Sequence, residues 1–216
     1  MTNDLLPSSA LFRFSLPCQP HPKAGTLGLT LDESYLLPSF AALDGAPAIV
    51  EVRAAWNPTA LHFVASVTGK KQSPWCRGSM LDSSDGLHVW IDTRDIHNIH
   101  RASRFCHQFV FLPSGGGPRL DQPVAEQTLI NRARENATPV RQKTLLVASQ
   151  KIAGGYQLEA IIPTSALTGF DADEHPKLGF FWAVEDRELG AISLSLNSQF
   201  PIAEDPSLWA TLELMK

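Results

Sequence analysis

Cysteine is scarce in this chain. Cys18, Cys76 and Cys106 form no CxxC pair, and an odd number cannot all pair internally, so reduced thiols are expected. Long apolar runs are missing as well. No stretch approaches the roughly 20 residues of a membrane span, and no membrane partner is expected. Met1–Pro7 has neither the basic start nor the apolar centre of a secretory signal, so the sequence as given reads as soluble and cytoplasmic. Neither charge sign dominates: 18 Lys and Arg stand against 22 Asp and Glu, for a net charge of −4. No basic stripe alternates with aromatics, which argues against nucleic acid as a partner. Catalytic signatures are also lacking. Ser193 and Ser195 sit in a strand without a nucleophile elbow, no HExxH occurs, and Glu204 and Asp205 are loop acids before a proline. Gly115-Gly116-Gly117 precedes no Lys-Ser/Thr or helix start, so it reads as a turn and not a phosphate cradle. A noncatalytic domain is the expectation.

What is present is β punctuation. Across 216 residues, 16 prolines and 14 glycines separate short apolar runs, and a chain of this length can bury a full core as one domain, 1–216. Strands are expected at 11–16, 26–31, Ile49–Trp56 and Leu61–Thr68, the last two forming a hairpin. Further strands are expected at Gly86–Asp92, Phe105–Leu112, Thr144–Ile152, Tyr156–Ile162, Leu178–Glu185, Ala191–Leu196 and Trp209–Leu214. The segment Leu120–Thr138 is polar and poor in β-branched residues, and reads as a long connection with a helical turn near Asn131–Asn136. A hydroxyl-capped helical turn is expected at Pro163–Leu167. The result is an all-β, two-sheet antiparallel β-sandwich, jelly-roll-like, with short helical turns. Its core should hold Leu61, Phe63, Val67, Val89, Ile91, Leu158, Ile161, Phe180 and Leu212. Trp56, Trp182 and Trp209 read as core residues. Trp90 shares a strand face with His88 and Asp92, and that face is either a binding face or a buried one.

Several segments, in order, carry a resemblance: Ala54-Ala55-Trp56 with Leu61–Val64, Trp75 with Asp85–Asp92, Gly155–Pro163, Leu178–Asp186 and Pro206–Trp209. Together they resemble the family 9 carbohydrate-binding modules and the wider DOMON-like sandwiches, most strongly over 48–214. The resemblance implies a β-sandwich that holds a glucose-type ring between aromatic faces, with no resident cofactor beyond a structural calcium. Asp32, Asp44, Asp85, Glu185 and Asp186 are then candidate calcium ligands, and Trp75 is most like one member of the aromatic clamp. A second tryptophan is not found: the strand 192–196 and the loop after it offer only Phe200. A related superfamily binds haem through methionine and histidine, but Met80 is the sole internal methionine and carries no such assignment.

These readings give a candidate ligand set of Trp75, Arg77, His88, Trp90, Arg101 and His107, for a saccharide or small polar ligand. Trp75 is equally readable as a residue that packs its loop onto the core. Asp92, Asp95, His97, His100, Cys106 and His107 offer metal donors, but the spacing His-x2-His-x6-His matches no zinc pattern and Arg94, Arg101 and Arg104 would repel a cation. A polar loop is therefore expected there. The alternatives to a sugar-binding module are a structural or protein-interaction domain that has lost the clamp, and an enzyme or metal protein using His97–His107.

Overall fold

The computed structural model describes residues 12–40, 48–196 and 199–216. Alternating apolar residues in short runs require faces that can be covered by another sheet. The described residues satisfy this with strands β1 (Ser15–Pro20), β2 (Val50–Asn57), β3 (Ala60–Val67), β4 (Gly86–Asp92), β5 (Cys106–Gly116) and β6 (Gln122–Thr128). They continue with β7 (Leu146–Ile152), β8 (Gly155–Pro163), β9 (Lys177–Glu185), β10 (Ile192–Ser193) and β11 (Ala210–Leu214). One sheet runs β6-β5-β4-β9-β11-β1, with β10 also on β9, and the other runs β1-β2-β3-β8-β7. β1 belongs to both. Ser15–Cys18 pair in parallel with Thr211–Leu214 of β11, and then Gln19 and Pro20 pair in parallel with Ala55 and Trp56 of β2.

Facing residues of the two sheets make the core. Phe63 of β3 stacks on Phe180 of β9 with ring centres 5.6 Å apart, and Leu61, Val67, Val89, Ile91, Leu158, Phe180, Trp182 and Leu212 are all buried. Ile161 is buried too, but it pairs with His62 and so turns to the outer side of the second sheet. Of the tryptophans read as core residues, Trp56 donates its indole N–H to Met215 O at 2.9 Å and Trp209 to Ile202 O at 2.8 Å, while the buried Trp182 indole N–H has no hydrogen-bond partner among the described residues. All three cysteines are free and buried.

Five sequence expectations need correction. Residues 26–31 form turns and not a strand, because Gly25 (φ +98°) and Gly28 (φ +85°) wind the chain over the outer face of the second sheet. There Leu29 and Leu31 pack against Ala55 and Val64. The first strand begins at Ser15, later than the alternation suggested. The polar connection after Leu120 contains β6, an edge strand paired with Gln108–Leu112 of β5, whose polar side chains are those of a half-exposed edge. Finally, the helical turn Thr164–Ala166 follows Pro163 and has no side-chain cap, since the Thr164 hydroxyl donates to Pro58 O instead. The expected strand Ala191–Leu196 shortens to Ile192–Ser193.

Candidate functional site

Alternation along β4 sends Leu87, Val89 and Ile91 into the sandwich and leaves His88, Trp90 and Asp92 on its outer face. Cross-strand pairing puts Phe181 and Ala183 of β9 beside Trp90 and His88 on that same face. A cleft of about 350 Å³ opens over this surface. Trp90, Phe181 and Ala183 form its floor, Leu196, Phe200 and Ile202 its apolar wall, and Ser193, Glu185 and Glu204 supply polar groups. Trp90 meets Phe181 edge-on at 6.1 Å and stacks with His88 at 5.8 Å. The Trp90 indole N–H is buried without a hydrogen-bond partner among the described residues. Burial raises the Glu185 carboxyl above the usual glutamate pKa. Glu204 accepts from Asn131 Nδ2 at 2.5 Å, so it is oriented from outside the cleft.

The loop holding Trp75 lies where β4 begins and β9 ends. Trp75 N–H donates to the Asp85 carboxylate at 3.0 Å, and Asp85 N–H donates back to Trp75 O at 2.8 Å. The Arg187 guanidinium lies 3.2 Å from the centre of the indole, and that of Arg77 lies 5.4 Å from it. Trp75 is half-buried and already stacked. Behind it, Lys70 Nζ is 3.1 Å from Asp85 Oδ2 and 2.5 Å from Asp186 Oδ2, with all three side chains essentially out of solvent.

The expected ligand residues do not form one cluster. Trp75 and Arg77 belong to the loop, with Arg77 exposed and donating to Cys76 O, while His88 and Trp90 lie on the sheet face. His107 lies on the opposite side of its strand, between the sheets, where it stacks on Phe109 and its Nε2 accepts from Thr168 N–H at 3.0 Å. Arg101 is exposed and ties two loops together by donating to Arg132 O and Ala133 O. The histidine-rich segment also disperses. His97 meets Asp95 and Thr211, His100 meets Asp205 and Ser207, and Asp92 accepts from Arg94 and Ile96 N–H groups.

The residues suggested for calcium fare similarly. Asp32 caps the turn Glu33–Tyr35, Asp44 lies outside the described residues, and Glu185 faces the cleft. Asp85 and Asp186 do converge, but on the Lys70 ammonium, so this pair does not fit a bound cation. Among the described residues, no group of three or more His, Cys, Asp or Glu is placed to hold a metal ion. Sequence reasoning missed Glu204, Ser193 and Lys70. Ser193 lies in the two-residue strand β10 and Glu204 in irregular chain beyond it, both too short of regular structure for periodicity to mark a face. Lys70 was legible only through the company it keeps, since Asp85 and Asp186 adjoin paired ends of neighbouring strands.

No family model matches the sequence, and no curated protein matches it. Solved structures do. A family 9 carbohydrate-binding module from Caldicellulosiruptor kristjanssonii, solved with glucose, superposes with a TM-score of 0.61 at 13% identity, over 93% of this chain and 95% of that one. The chain has the family 9 fold. A structure of such a module from the same organism, with cellotriose, gives a TM-score of 0.57 at 13% identity, covering 94% and 93% of the two chains. A proposed carbohydrate-binding protein from Bacteroides uniformis gives 0.51 at 14% identity, covering 94% and 100%. The family 9 fold is thus shared over nearly the whole length, while about six residues in seven differ.

Proposed function

We propose that this domain is a noncatalytic saccharide-binding module whose ligand sits in the cleft over Trp90 and Phe181. The carrying observation is the composition of that cleft: an aromatic and aliphatic surface bordered by Ser193, Glu185 and Glu204. A pyranose presents an apolar C–H face and a rim of hydroxyls, and this surface offers the complement of both. Phe200, the aromatic that stands in the loop where a second tryptophan was sought, forms part of the wall. The family 9 structures solved with glucose and cellotriose support the ligand class. We place the ligand here and not on Trp75, because Arg187 covers the indole of Trp75 at 3.2 Å.

The charged side chains lining the cleft are both carboxylates, Glu185 and Glu204. Neutral sugars should therefore bind and uronates should bind more weakly, through like-charge repulsion. The test is calorimetric titration with glucose, cello-oligosaccharides and glucuronate. Phe200→Ala and Glu185→Gln should each weaken binding of the neutral ligand roughly tenfold, about 1.4 kcal/mol, with little change in melting temperature. Absence of heat and of any tryptophan fluorescence change up to about 10 mM of each sugar, well above millimolar affinity, would sink the proposal. The domain would then read as a structural or interaction module on the same scaffold.

A further inference from the structure

The end of the sandwich beside Trp75 contains a charge arrangement that the saccharide reading does not use. Asp85 precedes β4 and Asp186 follows β9, and because Gly86 pairs with Glu185 the two carboxylates are delivered side by side. Both side chains are at most 2% exposed, so neither can shed its charge into water. Two adjacent buried carboxylates are unfavourable without a cation. The chain provides one from the other sheet: Lys70 follows β3, and its backbone N–H donates to Gly154 O at the β7–β8 turn. Burial alone would push the ammonium toward its neutral form, but hydrogen bonds to Asp186 and Asp85 hold its pKa above the ordinary lysine value.

The carboxylate oxygens also hold backbone. Asp85 accepts from the N–H groups of Trp75 and Arg187, and Asp186 from those of Glu188 and Leu189. Glu188 in turn accepts from Lys71 and Gln72 N–H, closing the circuit back onto the turn that carries Lys70. Trp75 and Arg187, whose side chains stack, are thus both fixed through Asp85.

We propose that the Lys70 ammonium acts as a built-in cation for the Asp85–Asp186 pair, a positioning residue that sets the Trp75–Arg187 stack without a bound metal ion. The location of Lys70 on the second sheet and of both acids on the first means that this one charge also joins the two sheets at their open end.

The test uses the full chain and three readouts. Wild-type melting temperature should be the same in calcium and in chelator. Lys70→Ala should lower it by about 6–20 °C, the range expected when a buried ion pair loses one partner in a chain of this size. Trp75 emission, assigned by difference from Trp75→Phe, should become more accessible to iodide. Methylammonium or calcium should restore both stability and shielding in Lys70→Ala, and should fail to do so when Asp186→Asn is added. If Lys70→Ala does not fold, Lys70→Met keeps the aliphatic stem and should show the same loss of Trp75 shielding at a temperature where it is native. A wild-type melting temperature that rises with calcium, or a Lys70 variant with unchanged Trp75 shielding, overturns the proposal. Loss of stability without rescue by either cation assigns Lys70 a packing role and overturns it as well.

Discussion

Among the described residues three imidazoles are buried; His62 is paired with Glu159, whereas His88 and His107 form no ion pair. His88 sits on the cleft side of β4 and His107 between the sheets, and burial depresses both to about 4. In the unfolded chain the same groups protonate near 6.5. The unfolded state therefore binds more protons between those values. The stability the neutral imidazoles contribute is complete above about pH 6.5, declines as pH falls toward 4, and does not change further below that. Each is worth on the order of 3 kcal/mol across the window. Urea unfolding at pH 7.5, 6, 5 and 4 should show this decline, and His107→Gln should flatten it from a lower starting stability, since Gln cannot protonate. A slope unchanged by the substitution would mean that His107 does not titrate as its burial requires. Both histidines were visible in the sequence, as was their alternation with apolar residues. Their sidedness was not: only the pairing of His107 with Ile91 and of His88 with Ala183 decides which one faces the core.

At the level of elements, legibility followed chemistry. The hairpin of β2 and β3 could be read from alternation and from Asn57-Pro58-Thr59, and β4, β5, β8 and β9 from their apolar density. β6 could not, because an edge strand needs only one hydrogen-bonded side and tolerates polar residues on both faces. The turns at 26–31 misled for the opposite reason. Leucines at alternate positions signal a strand only when the intervening backbone can stay extended, and the glycines there leave the β region. Another glycine has a steric role. A Cβ on Gly86 would stand 2.5 Å from Phe111 O of β5, the strand paired beside β4. Gly86→Ala must push the strands apart beside the Lys70 cluster, and should cost about 1–3 kcal/mol in denaturant unfolding, as overpacking of a filled interior does. An alanine variant as stable as the parent would show that this contact is looser than its geometry.

Over the whole molecule, the two sheets are held by facing side chains, by the Lys70 cluster at one end and by β1, which leaves one ladder and enters the other. The cleft proposed for saccharide lies on the outer face of the first sheet, and its floor and wall residues Trp90, Phe181, Ala183, Leu196 and Ile202 are buried and pack into the core, so cleft and interior are not independent. The parallel pairing of β1 with β11 has a mechanical side. Tension applied through Ser15 and Leu214 runs along two strands that point the same way, so Ser15–Cys18 and Thr211–Leu214 are loaded in shear and their hydrogen bonds must yield together instead of unzipping one at a time. Stretched between its ends, this domain should give way abruptly at high force, and should peel open at much lower force when pulled across the hairpin of β7 and β8.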